Sequence, residues 1–173
     1  MKRLLCIILF LALAGIACGE AAQAPTQITT TPTTQAATAK PTQAPAMPAI
    51  GKPWKVDDTW TVTVNSAKTN HGDSFIAPAA GHIFVVVDVT LKNTSTDNQA
   101  VSSLIMFSLK DATGQAYDPA FLSGTKAPDG TVRAGSLLRG QLAYDVPIAQ
   151  HTFTFDFQPG LSSSELVEWT VKI

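Results

Sequence analysis

From Trp60 to the C-terminus, apolar and polar residues alternate with a period of two. Trp60, Val62 and Val64 alternate with Thr61, Thr63 and Asn65, the pattern of a strand with one buried face. In Ile83 to Leu91 (IFVVVDVTL), Ile83, Val85, Val87, Val89 and Leu91 share a face, while Phe84 and Val86 make the other face apolar at its start. This strand is expected to be central, with Asp88, Thr90 and Lys92 emerging to solvent at its far end. Leu104 to Lys110 predicts a third strand with Ile105, Phe107 and Leu109 inward, turning at Asp111–Gly114 into a short strand around Gln115 to Tyr117. Pro119 to Arg133 reads as loop. Leu142, Tyr144 and Val146, then Phe153, Phe155 and Phe157, then Val167, Trp169, Val171 and Ile173 mark three further strands. About seven short strands with turn signals between them, and no helical stretch, predict an all-β, Ig-like antiparallel β-sandwich.

The first fifty residues follow other rules. Met1-Lys2-Arg3 is positive, Leu4 to Leu13 is an apolar run, and small residues follow. The run is too short for the roughly 20 residues that a membrane span needs, and the combination reads as a signal peptide. Its end, Ala14-Gly15-Ile16-Ala17-Cys18, resembles the lipobox of bacterial lipoproteins, with Gly15 standing where that motif usually carries Leu. The resemblance implies that Cys18 is diacylated and becomes the mature N-terminus, a firm membrane anchor because two chains hold where one holds marginally. Gly19 follows where an inner-membrane retention signal would place Asp. Ala21 to Ala49 has a single charge, Lys40, no aromatic residue, and prolines at 25, 32, 41, 45 and 48. It is expected to be a disordered tether, spanning roughly 30 Å as a coil and about 90 Å fully extended. The expected organisation is therefore a signal peptide over 1–17, lipidated Cys18 and tether over 18–50, and a sandwich over 51–173.

The formal charge of the whole chain is −1. Residues 51–173 carry nine Lys/Arg against twelve Asp/Glu, a net −3. Neither figure recommends nucleic acid as a partner. Cys6 and Cys18 are the only cysteines, so the folded part contains no disulfide or thiol chemistry.

The run Phe84 to Thr94 (FVVVDVTLKNT), the segment Phe107-Ser108-Leu109-Lys110-Asp111 with Gly114 and Tyr117, and a Gly135 turn leading to Tyr144-Asp145-Val146-Pro147 resemble family 4352 of the domains of unknown function. The resemblance covers most of 57–173. It implies an extracellular accessory or interaction domain with an Ig-like sandwich behind a low-complexity tether, and carries over no catalytic residue.

The search for chemistry yields little. His71, His82 and His151 lack a second ligand at metal spacing and are expected as scattered surface residues. Asp57-Asp58, Asp97-Asn98 and Asp129-Gly130 are the acidic loop candidates for calcium, and each also reads as turn chemistry. Ser123-Gly124-Thr125-Lys126 matches an SxxK signature whose companion elements are absent. Asn93-Thr94-Ser95 is a formal glycosylation sequon better explained as a polar turn. No cofactor and no enzymatic activity are expected. Off the strand pattern stand Trp54, Phe75, Ile76, Phe121 and Leu122, the candidate binding-loop residues: they either tuck under the sandwich as plugs or form a contact surface. The reading that follows is a lipid-anchored, non-enzymatic surface domain contacting an extracellular protein or envelope polymer. A small-molecule or metal-ion carrier of the envelope is the rival.

Overall fold

Alternating side chains become strands because one face of each can leave water against an opposing sheet. The computed structural model describes residues 47–161 and 163–173; the expected signal peptide, Cys18 and the expected tether up to residue 46 lie outside the described residues. The strands are β1 (Trp54–Lys55), β2 (Trp60–Asn70), β3 (His82–Asn93), β4 (Gln99–Val101), β5 (Phe107–Asp111), β6 (Ala116–Tyr117), β7 (Pro119–Ala120), β8 (Gly130–Val132), β9 (Leu137–Pro147), β10 (Thr152–Phe157) and β11 (Val167–Lys172), with a one-turn helix α1 (Ser103–Met106) before β5. One sheet has the order β1-β2-β3-β9-β7, a second β11-β10-β5-β6, and β4 pairs with β8. All pairings are antiparallel.

The predicted inward residues meet between the two larger sheets. Val62, Val64, Val85, Val87, Val89, Leu91, Tyr144 and Val146 from one side join Leu109, Phe153, Phe155, Trp169 and Val171 from the other in a single core. Phe155 sits at its centre, its ring 5.5 Å from that of Phe107, 6.3 Å from Tyr144 and 6.4 Å from Trp169. Each such side chain contributes about 1.5–3 kcal/mol on burial, so the aromatic cluster supplies much of what the absent disulfides would otherwise add.

Besides adding the short strands β1 and β4, the structure departs from the sequence reading in two stretches. Residues 104–106, expected as the start of a strand with Ile105 inward, form α1 together with Ser103 instead. Ser103 N and Oγ donate to the Asp129 carboxylate at 2.6 and 3.1 Å, and Ile105 N and Met106 N donate to Ser102 O. The turn swings Leu104 and Ile105 into solvent, 74% and 50% exposed, and buries Met106. The stretch 119–133, expected as loop, contributes the short edge strands β7 and β8; Pro119 is tolerated because an edge strand leaves one row of amides unpaired.

Candidate functional site

The outer face of the five-stranded sheet carries most of the polar chemistry. In β2 the register with β3 shifts between Val64 and Ser66, so Asn65 is an extra residue. Such a bulge re-aims its side chain. Asn65 Nδ2 donates to Asp88 Oδ1 at 2.6 Å and to Thr90 Oγ1 at 2.9 Å. From β9, on the other flank of β3, Arg139 Nε and Nη2 donate to the two oxygens of Asp88 at 2.9 and 3.0 Å, and Gln141 Nε2 adds a bond at 3.2 Å. Burial pushes the Asp88 carboxyl up, but the bonds from Arg139, Asn65 and Gln141 and the Arg139 charge outweigh it and hold the group below its ordinary range. Asp88 was expected in solvent. It is only 8% exposed, because three strands supply donors that close over it.

Two loops cover the neighbouring end of this face. Phe84 and Ala143 form a small second core with Leu122, and Ile76, Val86 and Ala120 pack against it. Ile76 and Leu122 are thus plugs, which explains why β3 starts apolar on both faces. Each loop is held from within. Asp73 accepts from Phe75 N and Ile76 N at 2.8 and 2.9 Å; these bonds, reinforced by Ser123 of the other loop, lower its pKa. Thr125 N and Oγ1 both donate to Leu122 O around Gly124, whose φ of +77° suits glycine. Gly140 is required for another reason: the loop's Lys126, Ala127 and Pro128 backbone crosses β9 where a Cβ would stand, and Gln141 N donates to Lys126 O.

Between loop and sheet lies a groove of about 480 Å³. Ser66, Lys68, Thr69 and Asn70 of β2, Val86 and Asp88 of β3, Arg139 and Gln141 of β9, and Ser123, Gly124 and Thr125 of the loop line it. Lys126 joins Asp88 and Arg139 in an adjoining hollow. Since Asp88 neutralises Arg139, Lys68 and Lys126 leave the surface positive, amid hydroxyls and amides able to bond a polar ligand. Beside it Phe75 and Phe121 are 93% and 80% exposed. The five off-pattern apolar residues therefore divide. Ile76 and Leu122 turn in, Trp54 pairs in β1 opposite Val62 and packs on the main core, and Phe75 and Phe121 face solvent.

The other sequence candidates have structural employment. His82 Nδ1 lies 2.9 Å from Asp145 Oδ1, and Asp145 Oδ2 accepts from Ala79 N; His71 and His151 are exposed. Asp57 caps a turn through Thr59 N and Trp60 N, Asp129 binds α1, and Asp58 pairs with Lys55. Among the described residues no three His, Cys, Asp or Glu side chains form a metal-binding group. Asn93 is fully buried, its Nδ2 donating to Asp97 O and Val132 O and its Oδ1 accepting from Ser95, so the sequon asparagine is a structural clamp. Sequence reasoning missed Asn65, Lys68, Lys126, Arg139 and Gln141. The available signal was Asp88 itself, a charge between Val87 and Val89 in a strand otherwise fit to be central.

Fold and groove define an antiparallel β-sandwich with a polar outer face. The chain belongs to the family described as a domain of unknown function (DUF4352), which matches residues 48–167. No curated protein matches it. The yjhA protein of Bacillus subtilis shares the fold with a TM-score of 0.59 at 23% identity, over 73% of this chain and 99% of that one. Also from Bacillus subtilis, ycdA, named as a candidate lipoprotein, matches with a TM-score of 0.59 at 17% identity over 68% of this chain, which spans 38% of that protein. MPT63, a secreted protein of Mycobacterium tuberculosis, matches at 0.51 and 14% identity over 73% of this chain and 98% of that one. At these identities the likeness establishes the fold alone.

Proposed function

We propose that this is a lipid-anchored bacterial cell-surface protein whose β-sandwich is a non-enzymatic module that contacts an envelope polymer. The observation that carries the contact is the pair Phe75 and Phe121, exposed yet held by their neighbours, partly buried Ile76 and buried Leu122, beside a groove of hydroxyls, amides and the cations Lys68 and Lys126. A rigid aromatic surface loses little entropy on binding, and polar groups at its side suit a polyhydroxylated or anionic chain. The lipobox-like end at Cys18, the tether, and the names of ycdA and MPT63 support an extracytoplasmic location.

Two experiments test the reading. In a lipoprotein-processing host, Cys18→Ser should move the full chain from the membrane to the soluble fraction with its melting temperature unchanged; retention in the membrane would defeat the anchor. The full chain should co-sediment with isolated envelope polymer, and Phe75→Ser with Phe121→Ser should reduce the bound fraction at least fivefold. Undiminished binding by that double variant would defeat the contact surface.

A further inference from the structure

A strand at the end of a sheet carries a row of N–H and C=O groups without a ladder partner, a template for another chain unless something blunts it. Three of the four end strands of the two larger sheets are blunted by length: β1, β6 and β7 have two residues each, and β7 begins with Pro119. The fourth, β11, is a six-residue strand (VEWTVK) with neither proline nor bulge, paired with β10 along one side only. Its register sets Thr152 opposite Lys172 and Phe155 opposite Trp169, and Ile173 N donates to His151 O at 3.1 Å. In an antiparallel ladder every second residue bonds to the same neighbour. Val167, Trp169, Val171 and Ile173 therefore direct their backbone groups to β10, and Glu168, Thr170 and Lys172 direct theirs to the free edge. Among the described residues these three have no backbone partner on that side, and all three are exposed. Glu168 acts on Lys110 across the sheet, but Lys110 is held by Asp156.

We propose that β11 pairs with β11 of a second copy of this chain, antiparallel about a two-fold axis through Thr170. Thr170 then faces Thr170 of the second copy, Glu168 faces its Lys172, and Lys172 faces its Glu168. Two opposite-charge pairs flank a threonine pair, the cross-strand combinations that stabilise sheets. All three facing pairs are of the hydrogen-bonded kind, because each residue already points its backbone at the edge. No other symmetric register does as well. An axis through Glu168 or Lys172 sets like charges face to face, and one through Trp169 or Val171 leaves neither charge opposite its complement. The second copy also brings its Ile173 opposite Val167, at the mouth of a hollow lined by Met47, Pro48, Trp54 and Val56. Such a self-complementary contact closes at two copies and does not grow into a fibre. A single edge covers less than the roughly 800 Å² per partner of a stable interface, so the pair is weak in dilute solution and gains from any surface that holds copies close together. The groove and the pairing edge are separate, and neither reading depends on the other.

The test is sedimentation equilibrium of the full chain, with amide hydrogen exchange followed by NMR to locate the contact. The unaltered chain should self-associate with a Kd on the order of 0.1 mM, and the amides of residues 168, 170 and 172 should gain at least threefold protection as concentration rises through it. Glu168→Lys and Lys172→Glu should each weaken self-association at least fivefold, since each sets like charges opposite one another. An equimolar mixture of the two variants restores opposite charges at every facing pair and should return to within about twofold of the original affinity. Thr170→Pro removes the central donor at an edge position where proline is tolerated, and should abolish association. If that variant fails to fold, the charge variants and their mixture decide the matter. A monomer at tenfold higher concentration, a mixture no tighter than its components, or protection gained elsewhere would overturn the proposal. So would protection of these amides that does not vary with concentration, which would place another segment of the same chain on the edge.

Discussion

Two aspartates on opposite outer faces make an instructive pair. Asp88 and Asp156 both sit outward on a strand with neighbours on each side, both are nearly buried, and both have a basic partner. Asp88 accepts four hydrogen bonds from three side chains, including a two-pronged bond from Arg139. Asp156 accepts two on one oxygen and leaves the other bare. The first is closed and serves the sheet, stitching β2, β3 and β9 across their outer face. The second is closed from solvent as well, yet leaves one oxygen without a donor among the described residues. Equal burial thus hides unequal satisfaction; the count of unused lone pairs separates the two aspartates.

The sharpest way to break the comparison is to remove each cation. Arg139→Ala removes a two-pronged bond but leaves Asn65 and Gln141 on Asp88, and should lower stability in urea unfolding by less than the loss of a fully buried pair, because Arg139 is two-thirds exposed. Lys110→Ala should cost more, since Asp156 is the more buried carboxylate and would keep Ser108 alone while Asp88 keeps Asn65 and Gln141; a smaller cost would erase the distinction. Next in size is acid sensitivity. The Asp88 carboxyl is lowered in the fold, so the unfolded chain binds the extra proton first. Its contribution is fully present above the unfolded value of about 3.9 and is lost as pH falls through the folded pKa. Asp88→Asn should flatten the loss of stability below pH 4, whereas Asp111→Asn should flatten it separately, because Thr113, Gln115 and Tyr117 lower that group independently. Unchanged acid profiles in both variants would refute the assignment. The smallest stability effect belongs to the exposed rings: Phe75→Ser and Phe121→Ser should each stay within about 0.5 kcal/mol in thermal unfolding, as surface positions do.

Local patterns made the strands legible, and non-local ones hid the sites. The period-two runs at Trp60, Ile83, Phe153 and Val167 face the core as read, because alternation is a property of neighbours in the chain. The donors to Asp88 lie 23, 51 and 53 residues away, so no window of sequence contains the network. In the doublets Phe75-Ile76 and Phe121-Leu122 either residue could have turned inward; the small gap over Phe84 and Ala143 admits the aliphatic one and leaves the ring outside. Leu104 and Ile105 misled because their alternation continues that of β5. Contact between Ser103 and Asp129, 26 residues on, sets the turn instead.

The bulge at Asn65 has a bearing on how this sheet tolerates insertion and deletion. Val64 pairs with Val89 and Ser66 with Asp88, leaving Asn65 as the one residue of β2 outside the ladder. Excising it would return the strand to strict alternation with Val64 still inward, Ser66 still outward and Ala67 still against the core. The chain can therefore gain or lose a carboxamide on its outer face one codon at a time, without changing which residues face its interior.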